Sequence, residues 1–188
     1  VVLATGVVPR AVDFPGCDHP KVVGYIDVLE GRVVPGARVA IIGGGYIAVE
    51  FACIFNALGV DITMMIRSGD LLNGFDDDIR QALAVEMRKR GITIRTGVKL
   101  DRLEKLDDGY CVVTKSGERY QTELVFAATG RVPNTRNLGL EEVGVGMDAK
   151  GGVKVDSWSR TNIDNIYAVG DVTNRVALTP VAIAEGRS

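Results

Sequence analysis

The chain is short of the residues from which most metal and acid–base sites are built. Its 188 residues include three cysteines, Cys17, Cys53 and Cys111, and a single histidine, His19. The cysteines lie far apart, with no C-x-x-C or C-x-x-x-x-C among them, which excludes a disulfide framework, a zinc site and an internal redox pair. Cys53 falls on an apolar helical stretch, where a buried, inert thiol is expected, because reactivity needs exposure and a cationic neighbourhood. His19 stands between Asp18 and Pro20 and reads as a loop residue, not a catalytic base. Blocks of like charge are missing as well. Lysine and arginine number 22 against 24 acidic residues, for a net charge of -2. Without a basic run, neither nucleic acid nor an anionic membrane surface is an expected partner. No stretch of 18 apolar residues occurs, and Val1 to Gly6 lacks the basic region and length of a signal peptide, so the expected location is cytoplasmic.

What is present suits a soluble globular protein of one or two domains with a real core, at 46% hydrophobic and 24% charged residues. The chain opens on an apolar strand ending in Ala4-Thr5-Gly6 and closes within a predicted helix, Pro180 to Ser188. Both ends read as cuts through a longer protein.

The most informative run is Ile41-Ile42-Gly43-Gly44-Gly45-Tyr46-Ile47-Ala48-Val49-Glu50. An apolar strand, Arg38 to Ile42, turns through glycine into a helix that runs from about Tyr46 to Leu58 and stops at Gly59. A second apolar strand follows at Ile62 to Ile66. A bare G-x-G-x-x-A is a weak signal, but this strand–turn–helix–strand context is the one a dinucleotide pyrophosphate requires. Gly43 permits the tight turn, Gly45 lets the backbone approach the phosphates, and Ala48 keeps the helix close to the sheet. The N–H groups at the helix start, Tyr46 and Ile47 among them, and the positive end of the helix dipole would face the anion.

The rest of the chain extends this unit. Pro9 to Pro35 is a turn-rich crossing segment with a short helix at Tyr25 to Glu30. Asp76 caps a helix whose apolar face is read as Ile79, Leu83 and Met87, with Ala82 beside them, and Gly91 ends it. With Ile92 to Arg95 as a third strand, residues 38 to 95 form a parallel, right-handed βαβαβ unit. The period then changes to two. Lys99 to Leu106, Tyr110 to Lys115 and Arg119 to Gln121, split by Asp108-Gly109 and Ser116-Gly117, form an antiparallel meander. Leu124 to Ala128 returns as a strand ending in Thr129-Gly130. Asn165 to Val169 is a further strand, ending in Gly170-Asp171. That carboxylate is placed to accept ribose or ribitol hydroxyls, although Gly-Asp alone is a common turn.

The expected fold class is α/β, a three-layer FAD/NAD(P)-binding (Rossmann-like) domain with a parallel sheet and a three-stranded antiparallel meander. In that fold the residue ending the second strand, about 20 positions past the glycines, meets the adenosine ribose. Here it is Arg67. An acid there would bind a 2′-hydroxyl, whereas arginine offers planar, charge-assisted bonds to a 2′-phosphate, so NADPH is favoured over NADH. Ser68 adds a hydroxyl, Asp70 opposes the phosphate and Asn73 is uncharged, which points to a moderate preference. A solvated arginine at a strand end is the plainer alternative.

Taken together, Gly43 to Ala52, Ile66-Arg67 through Leu72-Asn73-Gly74-Phe75-Asp76, Ala128-Thr129-Gly130-Arg131-Val132-Pro133-Asn134, and Ala168-Val169-Gly170-Asp171 with Leu178-Thr179-Pro180-Val181-Ala182 resemble the glutathione reductase-like flavoprotein disulfide reductases. The motifs occur in that family's order across residues 37 to 188. The resemblance implies that residues 37–150 are the NAD(P)H-binding domain, and that 1–36 and 151–188 are strips of an FAD-binding domain. It implies that Gly43, Gly45 and Ala48 hold the NADPH pyrophosphate, Arg67 the 2′-phosphate, and that Gly130 and Arg131 lie by the nicotinamide half. Tyr46 resembles the tyrosine that covers the flavin, and Glu50 the carboxylate that pairs with a flavin-side lysine. Gly170 and Asp171 would serve the FAD ribitol, and Thr179 the flavin ring. The family commonly has a second basic residue where Asn73 stands. Residues 1 to about 42 look more like flavoproteins similar to 2,4-dienoyl-CoA reductase, which keeps an ene-reductase-like reading open, as is a nucleotide-binding module without turnover. The first FAD glycine motif, the redox cysteine pair and the interface domain of the family are not among these residues. The expected whole is a homodimer passing hydride from NADPH to FAD and electrons onward to a small-molecule disulfide.

Overall fold

The computed structural model describes residues 1–187; Ser188, the end of the expected C-terminal helix, lies outside the described residues. In chain order the elements are β1 (Val2–Leu3), β2 (Val7–Pro9), β3 (Val22–Val23), α1 (Tyr25–Leu29), β4 (Arg38–Ile42), α2 (Tyr46–Ala57), β5 (Asp61–Ile66), α3 (Asp77–Lys89) and β6 (Thr93–Thr96). There follow β7 (Leu100–Lys105), β8 (Tyr110–Thr114), β9 (Arg119–Thr122), β10 (Leu124–Ala127), β11 (Arg131–Pro133), β12 (Tyr167–Ala168), a 3₁₀ turn at Gly170–Thr173, and α4 (Thr179–Glu185).

By internal contacts the chain divides into a larger unit, Ala11–Gly130, and a smaller one, Val1–Arg10 together with the chain from Arg131 onward. These limits differ from the ranges 37–150 and its flanks, for reasons of strand pairing. Val22 and Val23 of β3 pair in parallel with Val125 and Phe126 of β10, which ties the crossing segment into the larger sheet. Arg131 to Pro133 of β11 pair antiparallel with β2, which ties them to the N-terminal residues.

The larger unit is built on a five-stranded parallel sheet in the order β3-β10-β4-β5-β6. Its strands alternate side chains between two apolar layers, as the period of two demands. Val39, Ile41, Ile62, Met64, Ile66, Leu124 and Phe126 pack on one face with Ala48, Ala52 and Phe55 of α2 and Met87 of α3. Phe126 also meets the rings of Phe51 and Phe55 at 4.7 and 5.6 Å between centroids. On the other face Ala40, Ile42, Met65 and Val125 pack with Val112 and Leu103 of the β7-β8-β9 meander. The three layers are therefore helices, parallel sheet and meander, and the meander, not a helix, carries the chain from β6 at one edge back to β10.

Two expectations need correction. On α3 the buried positions are Ala84 and Met87, with Leu83 partly covered, whereas Ile79 is 59% exposed and Ala82 is also exposed. Arg80 turns toward the body of the unit in place of Ile79, its side chain only 16% exposed. Cys53 is exposed, not buried; Cys111 is the buried cysteine.

The smaller unit holds the two-stranded pairs β1-β12 and β2-β11 around a cluster of Leu140, Val145, Val153, Ala168 and Val172. Its loops are held by carboxylates in place of long ladders. Asp148 accepts from the Lys150 and Gly152 N–H groups, both at 2.7 Å, and from the Asn174 amide at 2.7 Å. Asp156 accepts from the Trp158 and Arg160 N–H groups.

Candidate functional site

The larger unit puts its glycine turn at the carboxyl end of β4, between β5 on one side and β10 on the other. The strand order reverses there, since the chain runs outward through β5 and β6 but returns on the opposite side as β10. Ligands of open α/β sheets bind in this crevice.

The three glycines do different jobs. Gly43 has φ +139°, and a β-carbon on it would lie 2.3 Å from the Ala128 carbonyl oxygen, so the turn abuts the end of β10. Gly44 would meet Ile66 Cγ2 at 2.8 Å. At Gly45 nothing lies within 4 Å of such an atom, and φ is an ordinary -78°. Gly43 and Gly44 are thus needed by the fold, while Gly45 leaves open space outside the start of α2. No side chain caps that start, and the positive end of its dipole favours an anion there. Ala48 is fully buried and holds α2 against the sheet. Ile47 is partly buried in the same layer.

Beyond β5 the chain from Arg67 to Asp76 is anchored on both sides. The Gly97 N–H donates to the Ser68 carbonyl at 3.2 Å, and the Leu72 N–H to the Gly44 carbonyl at 2.6 Å. Leu71 is fully buried, and Leu72 adopts φ +48° to make the turn. Arg67 and Ser68 stand exposed at the strand end. The Ser68 hydroxyl donates to the Asp70 carbonyl at 3.3 Å. Among the described residues no carboxylate pairs with Arg67. Tyr46, 42% exposed, and Glu50 are both on the outer side of α2, one turn apart as an i, i+4 pair. Gly130 is exposed, with φ +116°.

In the smaller unit the expected residues form a second group. Arg131 Nη1 lies 3.5 Å from Asp171 Oδ2, with both side chains about four-fifths covered. The Gly170 N–H donates to Glu185 at 2.6 Å, and Glu185 pairs with Arg175 at 2.8 Å. Thr179 is exposed at the first position of α4, with Pro180 behind it. Sequence reasoning missed Gly44 and Arg80, whose parts depend on Ile66 and on Leu71 and Asp70, neighbours that no local pattern reveals. His19 Nδ1 accepts from the Lys21 N–H at 3.1 Å and its ring lies 4.6 Å from that of Tyr110. Among the described residues no group of three metal-ligating side chains converges, and no helix is long and apolar enough to cross a membrane.

An open glycine turn and a helix without a side-chain cap at the switch point of a parallel sheet are features of the Rossmann-like FAD/NAD(P)-binding fold. A family model described as pyridine nucleotide-disulphide oxidoreductase matches residues 1–186, and the chain belongs to that family. It is 46% identical to glutathione reductase of Burkholderia cepacia over 188 residues, 100% of this chain and 41% of that protein. It is 43% identical to trypanothione reductase of Trypanosoma congolense over 192 residues, 100% of this chain and 38% of that protein. Among solved structures, the HOCl-induced flavoprotein disulfide reductase RclA from Escherichia coli superposes with a TM-score of 0.92 at 28% identity, over 99% of this chain and 42% of that one. The chain thus spans about two fifths of the length of the relatives it matches.

Proposed function

We propose that the larger unit binds NADPH and that, in the whole protein, it is the entry point for reducing equivalents in a flavin-dependent disulfide reductase. The observation that carries this is Arg67: exposed, without a carboxylate partner among the described residues, and joined by a fixed loop to the glycine turn. The space outside Gly45 suits a pyrophosphate on the N–H groups of α2, and Arg67 with Ser68 suits a 2′-phosphate. Bound NADPH would supply a hydride to FAD, whose two electrons reduce a cysteine pair outside these residues and then a small-molecule disulfide.

This chain's own residues bind, orient and shield. Gly43 and Ala48 set the distance between α2 and the sheet, Tyr46 and Glu50 offer a ring and a carboxylate on the outer face of α2, and Gly130 and Arg131 lead toward the nicotinamide half. Asp171 would take ribitol hydroxyls of FAD and Thr179 would approach the flavin ring. The parts of the 1–36 and 151–188 segments that lie in the smaller unit are proposed as strips of the FAD-binding domain, and the parent as a cytoplasmic homodimer.

Adenosine 2′,5′-bisphosphate and 5′-AMP separate the key contact from general nucleotide affinity. The bisphosphate should bind this chain about tenfold or more tightly than the monophosphate, a gap of about 1.4 kcal/mol, and Arg67→Ala should abolish the gap. Equal binding of the two by the unaltered chain would contradict the NADPH reading.

A further inference from the structure

Asp70 is the feature of the loop least suited to an anionic ligand, lying three residues beyond the arginine that would hold a 2′-phosphate. The structure gives it a counterion. Arg80, from the first turn of α3, places Nη2 3.9 Å from Asp70 Oδ2, and the other Asp70 oxygen accepts from the Leu71 N–H at 2.9 Å. The same guanidinium donates from Nε to the Leu71 carbonyl at 2.7 Å and from Nη1 to Asp77 at 2.5 Å. One residue further along, the Leu72 N–H is bonded to the Gly44 carbonyl. Arg80 therefore ties α3 to Asp70 and to the Leu71–Leu72 peptide, whose own N–H bonds to the glycine turn. It occupies the inward position on α3 that an apolar side chain would ordinarily fill.

We propose that Arg80 is a positioning residue for cofactor preference: it offsets part of the charge of Asp70, with Asp77 as its closer partner, and pins the Arg67–Asp76 loop through the Leu71 carbonyl, leaving Arg67 as the uncompensated charge of the site. This rests on the NADPH reading. Arg80 itself touches no phosphate; it acts through Asp70 and through the Leu71 carbonyl. A carboxylate stripped of its counterion would compete for Arg67 and repel the 2′-phosphate, whereas NADH, which lacks that phosphate, would be little affected.

The test is the ratio of NADPH to NADH affinity for the 188-residue chain in a four-member cycle of the unaltered protein, Arg80→Gln, Asp70→Asn and the double variant, with circular dichroism to confirm folding. Arg80→Gln should lower the ratio by about tenfold, and adding Asp70→Asn should restore most of it, a coupling that a merely structural arginine does not produce. Asp70→Asn alone should change the ratio by less than about twofold, because the charge of Asp70 is already partly offset. This single variant keeps the proposal testable if Arg80→Gln does not fold. A large rise in the ratio with Asp70→Asn alone, an unchanged ratio in Arg80→Gln, or no rescue in the double variant would each overturn the role of Arg80. No preference in the unaltered chain would instead overturn the NADPH reading on which it stands.

Discussion

Single residues divide sharply between those that hold the fold and those that face a ligand, and the glycine turn separates the two. Gly43→Ala would drive a β-carbon into the Ala128 carbonyl at a backbone angle that alanine avoids; the expected cost is more than about 3 kcal/mol, read as a lost or lowered thermal transition. Gly45→Ala meets nothing, so stability should move by less than about 1 kcal/mol, while cofactor affinity falls about tenfold or more as the methyl fills the phosphate approach. A stable Gly43→Ala or a fully binding Gly45→Ala would sink that division. The roles of Gly43 and Gly45 and the position of Arg67 are legible in the sequence because they follow from spacing along one strand–turn–helix. Gly44 and Arg80 are not, because what constrains them, Ile66 Cγ2 for the one and the Asp70 carboxylate and Leu71 carbonyl for the other, is brought near only by folding. Cys53 shows the opposite error: an apolar helix need not bury its whole circumference, and α2 leaves Cys53 and Ile54 outside.

Elements were legible where they are long and periodic. The β4-α2-β5-α3-β6 run and the meander follow from apolar periods and glycine stops, whereas β3, two residues long, and the short β2-β11 pair carry no period that a sequence reading can detect. The face of α3 was misjudged because Ile79 and Met87 fit a helical stripe as well as Arg80, Leu83, Ala84 and Met87 do, and hydrophobicity alone favours the isoleucine. Ile79→Lys should accordingly change stability by no more than about 0.5 kcal/mol, and Met87→Ala should cost about 2–5 kcal/mol, compared by urea denaturation. In the smaller unit the loops depend on ionised carboxylates. The Asn174 amide and the Gly152 N–H hold the Asp148 carboxyl below the usual carboxylate range, and the Arg160 N–H does the same for Asp156. A carboxyl lowered in the folded state contributes stability above its unfolded pKa and loses it as pH falls through the folded value. The smaller unit should therefore loosen in acid below the ordinary carboxylate range, and Asp148→Ala should remove part of that pH dependence and about 1–2 kcal/mol at neutral pH.

At the scale of the whole molecule, the two units differ in how much core they own. The larger has apolar layers on both faces of a five-stranded sheet, while the smaller rests on two-residue and three-residue strand pairs and exposes Val1, Val2, Val176, Leu178 and Ile183. Amide hydrogen exchange should show residues 38 to 95 protected well beyond Val1 to Leu3, 165 to 169 and 176 to 183; equal protection in a dilute monomer would contradict this. Family membership and the α/β class were legible because the motifs stand in a fixed order, but the division at Arg10 and Gly130 depends on strand pairs between distant segments. Whether this chain carries a phosphate-reading NADPH site is tested most directly by a fluorescence titration with NADPH and with NADH at two salt concentrations. NADPH should bind more tightly than NADH, by a margin that shrinks with salt and vanishes in Arg67→Ala. Equal affinities that ignore both salt and Arg67 would contradict such a site.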